Sequence, residues 1–180
     1  ALSLDPQAVQ HIFISHADLC HVGGIPYFPN AITHMGQNEE TSPTKPSSLF
    51  PYFCIRNVQM HGFDTLEDNQ RIEIDNIFIQ AIATPGHTSG SMSYLVSDIA
   101  NESKQYLLFT GDTVFLNEEG QLNASFTTKK DMDQDHVALD ESWRKLKTIC
   151  KNLRTEGARI AIITSHTGFN FSQFVFSSFN

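Results

Sequence analysis

Ile14-Ser15-His16-Ala17-Asp18-Leu19-Cys20-His21-Val22-Gly23-Gly24 puts four side chains able to bind a metal within six positions, after an apolar run and before a glycine pair. Ile12-Phe13-Ile14 reads as a short buried strand, so the cluster emerges at the edge of a sheet. Imidazole, carboxylate and thiolate together suit zinc or iron; calcium and magnesium take oxygen donors. Such a cluster holds an ion firmly only when distant segments bring further donors.

Three later strands end in such a donor. Ile77-Phe-Ile-Gln-Ala-Ile-Ala83 runs into Thr84-Pro85-Gly86-His87, Tyr106 to Phe109 into Thr110-Gly111-Asp112, and Arg159 to Thr164 into Ser165-His166. Between them, Ala31 to Met35, Arg71 to Ile74 and Met92 to Val96 also read as strands, from apolar runs or alternation. Asp5-Pro6 starts a short capped helix, and Ile25 to Phe28 a helical turn. The stretch from Gly36 to Ser48 is a polar, Pro-containing loop. Gln134 to Arg154 is the one long helix: Val137, Leu139, Trp143, Leu146, Ile149, Cys150 and Leu153 share an apolar face, and Gly157 ends it. Loops at strand ends let a rigid sheet aim side chains at one point.

The 180 residues form a single domain, 1–180, long enough for a sizeable core. With 40% hydrophobic and 18% charged residues, a disordered chain is excluded. A formal charge of −8 and no Lys/Arg-rich block argue against nucleic acid as the partner. No apolar run reaches the ~20 residues needed to span a bilayer. Cys20, Cys54 and Cys150 are odd in number and far apart, which points to a reducing, cytoplasmic setting without a disulfide framework.

Taken in order, His16-Ala-Asp18-Leu-Cys20-His21, Pro85-Gly86-His87, Gly111-Asp112 and Ser165-His166 resemble the motifs of the metallo-β-lactamase superfamily, from Gln7 to Gly168. The resemblance implies an α/β fold, an αββα sandwich with a binuclear metal site at one edge of the packed sheets. It also implies a first ion on His16, Asp18 and His87, a second on Cys20, His21 and His166, and Asp112 between them. Zinc, two ions per chain, is the expected cofactor, with iron the alternative.

The chain departs from the family in two ligands and at its front. Asp18 stands where most members have His, and Cys20 where most have Asp. Asp18 is either a ligand or an acceptor that orients a ligating His; Cys20 is either a ligand or a small buried residue. Asp112, Asp18 and Cys20 are the groups expected to act in catalysis, the position of Cys20 being one that orients the attacking water. Only 15 residues precede His16, so part of the first sheet is expected to be missing, with a preceding segment or a second copy supplying strands. The isolated 180 residues are then expected to be poorly soluble.

The resemblance implies hydrolysis of a small-molecule ester, thioester, lactone or phosphoester by a metal-activated water. Two other functions fit the residues: a mononuclear iron dioxygenase built on His16, His87 and Asp112, and a non-catalytic binding module on the same fold. Thr113 to Gly120 lacks the Gly-Cys-Gly-Arg-like loop of the glutathione-dependent branches, which disfavours a glutathione thioester. Phe169 through Phe179 and Leu49 to Phe53 are candidates for an apolar substrate wall or for core. His11, His34, His61 and His136 read as surface or packing residues, Cys54 and Cys150 as structural, Trp143 as a core anchor, and Asp131 to Asp135 as a solvated helix start.

Overall fold

The structure is a computed structural model that describes residues 4–39, 63–100, 104–116, 122–123 and 135–166. Leu49 to Phe53, Cys54, His61 and Phe169 through Phe179 lie outside the described residues. So do 131–134 of the Asp131 to Asp135 stretch and all but Thr113 to Leu116 of the loop after Asp112.

A small sheet opens the chain. β1 (His11–Phe13), β2 (Ile32–Gly36) and β3 (Phe63–Leu66) run parallel in the order β1-β2-β3. The crossover from β1 to β2 holds the one-turn helix α1 (Leu19–Val22) and a 3-10 turn at Ile25–Tyr27. A larger sheet follows. It contains β4 (Arg71–Ile74), β5 (Ile77–Ala83), β6 (Met92–Asp98), β7 (Gln105–Phe109) and β10 (Arg159–Ile163) in the order β10-β7-β6-β5-β4. β10 lies parallel to β7, and the other neighbours are antiparallel. β8 (Phe115–Leu116) and β9 (Leu122–Asn123) form a separate two-stranded pair. α2 (His136–Thr155) carries the expected apolar face except at Val137, which lies exposed in the first turn, and it is capped by Asp135, whose carboxylate accepts from the Val137 and Ala138 N–H groups.

Four layers result from how the apolar faces pair. Leu146 and Cys150 of α2 pack on Ile82, Leu95, Leu108, Ile160 and Ile162, one face of the larger sheet. Its opposite face, with Ile79, Ala81, Met92 and Tyr94, meets Phe13 and Leu66 of the small sheet. The outer face of the small sheet, Ile12, Ile14 and Met35, is covered by Val22 and Ile25. The expected αββα sandwich is therefore present, with a single short turn and a 3-10 helix as one outer layer. Two bonds tie the sheets at the first cluster: the Tyr94 hydroxyl donates to the Ile14 carbonyl at 2.6 Å, and the Met92 N–H to the Ser15 carbonyl at 2.8 Å.

The small sheet does not cover the whole facing surface. Leu107 and Phe109, on the face of β7 turned from α2, keep 39% and 38% exposure. Beside them a cavity of about 320 Å³ runs between Phe13, Tyr94, Val96, Phe109 and Ile163 and reaches Ser15, Gly111 and Ser165. Sequence periodicity misses the two-residue strands β8 and β9, and also β3 and α1. β3 has polar residues at its centre and exists through pairing with β2, while α1 is too short to show a repeat. Among the described residues, no helix is long and apolar enough to cross a membrane.

Candidate metal centre

All four strand-end loops converge at one edge of the sandwich. β1 delivers His16 directly. The cluster then turns into α1, where the His21 and Val22 N–H groups bond the Asp18 carbonyl, so Cys20 and His21 sit on the turn. β5 delivers His87 through Gly86. Gly86 has φ +136°, and a Cβ there would lie 2.5 Å from the Leu139 backbone, so only glycine lets the loop pass under α2. The Asp135 N–H donates to the Gly86 carbonyl and the Ser142 hydroxyl to that of Pro85, fixing the loop to the helix start. β7 delivers Asp112 on a 3-10 turn at Gly111–Thr113. β10 delivers His166, which has φ +59°; His is among the residues that tolerate this left-handed region.

The donors form two groups. His16, His87 and Asp112 each offer an atom within 4.8 Å of the others, and so do Cys20, His21 and His166. Asp112 links the groups. Its Oδ2 lies 3.6 Å from His87 Nε2, 3.9 Å from His16 Nε2 and 3.4 Å from His166 Nε2, while its Oδ1 lies 3.4 Å from His21 Nε2. Asp18 joins the first group, its Oδ2 being 3.2 Å from His87 Nε2 and 3.5 Å from His16 Nε2. It faces the same ring nitrogens as Asp112. An acceptor that only orients a ligating His would stand at the far nitrogen. Cys20 is exposed, not a small buried residue.

The residues fit a metal. His16 Nε2 and Asp112 Oδ1 are buried and have no hydrogen-bond partner, an arrangement that is costly for a purely structural group. His21 Nε2 and His166 Nε2 face each other at 3.3 Å, as two imidazoles aimed at one ion do. The far nitrogens are supported: Ser15 Oγ lies 3.1 Å from His16 Nδ1 and 3.4 Å from His21 Nδ1. With Nε2 on an ion, each Nδ1 carries the proton and donates to that oxygen.

Electrostatics keep His16, Asp18 and Asp112 in their metal-binding forms. Burial pushes His16 below the ordinary imidazole value, opposed by the Asp18 carboxylate, so its ring is neutral. The imidazoles of His16 and His87 hold the Asp18 carboxyl well below the usual carboxylate range. Burial pushes Asp112 up, but His21, His16 and His87 outweigh it, and the net shift is downward. Burial, with the Asp18 and Asp112 charges, pushes the Cys20 thiol up; only a cation beside it reverses that balance.

Every residue expected in the site is thus brought to it: His16, Asp18, Cys20, His21, His87, Asp112 and His166. The remaining histidines with described positions lie elsewhere, His136 exposed and His11 stacked with His34 in the small sheet. Sequence reasoning missed Glu39. Its carboxylate accepts from the Ala17 N–H at 2.8 Å and from the Thr88 hydroxyl at 2.6 Å, joining the first cluster to the His87 loop. It also missed Ser15, although adjacency to His16 was a usable signal.

Comparison with known proteins agrees with this architecture. The family described as the Metallo-beta-lactamase superfamily matches residues 1–166. Glyoxylase B2 of Dictyostelium discoideum is 29% identical over 128 residues, 68% of this chain and 40% of that protein. The protein named "Probable polyketide biosynthesis zinc-dependent hydrolase BaeB", of Bacillus velezensis, is 42% identical over 67 residues, 37% of this chain and 26% of its own. The chain therefore spans less than half the length of these relatives. Among solved structures, MEM-A1, a subclass B3 metallo-beta-lactamase from a soil metagenome library, superposes with a TM-score of 0.61 at 17% identity, over 92% of this chain and 61% of that one. At that identity the likeness is one of fold.

Proposed function

Because the chain belongs to the metallo-β-lactamase superfamily, we propose that it is a metal-dependent hydrolase that holds two divalent ions, zinc by preference, and cleaves a small-molecule ester, thioester, lactone or phosphoester. The observation that carries this reading is the pair of three-residue donor groups sharing Asp112. The zinc-dependent hydrolase among its relatives supports the choice of metal.

His16, His87, Asp112 and Asp18 would hold one ion and Cys20, His21 and His166 the other, with Asp112 fixing their separation. Ions bound there supply Lewis acidity, lowering the pKa of a water and polarising a carbonyl or phosphoryl oxygen. Ser15 keeps the His16 and His21 rings turned to the centre through their Nδ1 atoms. Asp18, partly exposed, and Cys20 stand on the open side, where either can accept a hydrogen bond from an attacking water. His16 and Asp112 form the buried floor.

Metal analysis of protein purified without added metal tests this. About two zinc per chain is the expected result. One iron per chain would instead favour the dioxygenase built on His16, His87 and Asp112, a compact two-His, one-carboxylate set in this structure. No retained metal, and no hydrolysis after zinc is added, would favour a binding module.

A further inference from the structure

We infer that the C-terminal half of α2 is a docking surface for a short acidic segment of a partner protein. Arg144, Lys147, Lys151 and Arg154 form its stripe of cations, and Arg159 and Lys104 extend it past the helix end. The surface is independent of the metal reading above.

Along the sequence these cations are interrupted by Leu146, Ile149, Cys150 and Leu153, all of which pack into the core against the larger sheet. Folding lines the cations up. Positions 144, 147, 151 and 154 are three, four and three residues apart, the spacing that puts helical side chains on one face. At 1.5 Å per residue the stripe is ~15 Å long. Arg144 and Lys151 are exposed, Lys147 and Arg154 half-buried. Lys147 Nζ lies 5.8 Å from the centre of the Trp143 ring, and Lys104 Nζ donates to the Glu156 carbonyl at 2.7 Å. Both cations are thus placed before a partner arrives. Arg159 joins them where its N–H donates to the Lys104 carbonyl. Cations near a helix C-terminus also complement its dipole, but that effect fades within the last turn and reaches neither Arg144 nor Arg159 of β10.

The charge balance selects the partner. Residues 142–159 hold six of the chain's 12 Lys and Arg, but only Glu156 of its 20 Asp and Glu. One of the six, Lys145, is already paired with Asp68. The rest of the chain is strongly acidic. A nucleic acid or an anionic membrane is an extended negative surface, which that acidic remainder repels as it approaches. A short run of Asp or Glu meets the stripe alone. Bases would also need aromatic rings to stack on, and the one Trp, Tyr or Phe of α2, Trp143, packs against the core.

Fluorescence anisotropy of a fluorescein-labelled oligoglutamate of about ten residues, long enough when extended to cover the stripe, reads binding to the full chain. The peptide should bind at about 0.02 M salt and weaken at least about 10-fold by about 0.15 M, as screening shortens the reach of the charges. Arg144→Glu and Lys151→Glu, both at exposed positions, should each weaken binding about 3-fold, and together about 10-fold. Arg71→Glu makes the same change of net charge on β4, at the opposite edge of the larger sheet from β10, and should stay within about 2-fold of the unaltered chain. Circular dichroism melts verify that the variants fold. Failure of the peptide to bind at low salt would overturn the inference, as would an equal loss in Arg71→Glu. Tighter binding of a labelled oligothymidylate of matched charge, or of phosphatidylserine vesicles, would overturn it by assigning the stripe to nucleic acid or membrane.

Discussion

Gly111 presses so closely on Ser15 that a Cβ at position 111 would lie 2.7 Å from the serine Cβ and 2.9 Å from its hydroxyl oxygen. Gly111 also has φ +51°. The turn that aims Asp112 and the residue that holds the two His rings therefore occupy one space, and a methyl group is enough to disturb both. Gly111→Ala is expected to cost at least about 1–2 kcal/mol from the left-handed backbone alone. It should also lower zinc retention, because displaced Ser15 releases His16 and His21. Thermal denaturation of the stripped protein and zinc analysis of the loaded one measure the two effects. Unchanged zinc content would mean that Ser15 does not orient the rings.

Glu39 touches none of the expected donors, yet it ties the loop of His16 to the loop of His87. Glu39→Ala should weaken the first ion about 10- to 100-fold, the range found when groups behind metal ligands are removed. Glu39→Gln retains an acceptor for the Ala17 N–H but cannot serve both partners in the same way, and it should fall between. Competition with a chromophoric chelator would read the constants. Equal affinity in all three proteins counts against a positioning role.

A different lever acts on the helix. The Lys145 ammonium donates to Asp68 at 2.6 Å and to the Ala83 carbonyl at 2.9 Å, and Asp68 accepts from the Ala83 N–H at 2.8 Å. Ala83 is the residue from which the His87 loop departs. Asp68→Ala should lower stability by about 1–2 kcal/mol, mostly through the lost backbone bond, since the partly exposed ion pair is worth no more than about 1 kcal/mol. Metal stoichiometry should stay the same; a variant that folds normally but loses metal would show that this clamp sets the loop directly.

Acid should weaken the metal-free fold. Burial holds His34 below the ordinary imidazole value, opposed by Asp64 and reinforced by His11, and burial acts likewise on His16. For both, the unfolded chain takes up a proton at about pH 6.5 and the folded chain only at lower pH. Their contribution is fully present above that value and is lost as pH falls through it toward the folded pKa. Denaturation midpoints of stripped protein should therefore fall between about pH 7.5 and about pH 5.5. His34→Phe, which keeps a ring to stack on Phe13, should flatten part of that fall. A parallel curve would acquit His34.

The centre was legible where its chemistry follows local pattern. Arg71–Ile74 and Ile77–Ala83 are strands over the expected residues, because alternation and apolar runs report directly on which faces are buried. A donor just after such a strand is then visible at a glance, as His87 and Asp112 were. Glu39 had no such signature. It lies in a polar stretch, and its role comes from meeting Thr88, 49 positions away. β3 escaped notice for the same reason, its Asp64 and Thr65 being set in a strand by β2 rather than by their own preferences. The openness of Cys20 was equally unreadable, since exposure depends on how four separate loops meet.

His21 and His166 are 145 positions apart in the chain yet 3.3 Å apart at the centre. An ion bound between them works as a cross-link as well as a reagent. It closes nearly the whole described chain into one loop, and a covalent bridge over a loop of this size removes unfolded-chain entropy on the order of 4–5 kcal/mol. The same contact delays assembly of the centre, because the last strand must be in place before the first cluster has its partners. Nascent chains would hold no complete donor set until β10 has docked, so an ion shared by His21 and His166 would bind only after that strand is in place.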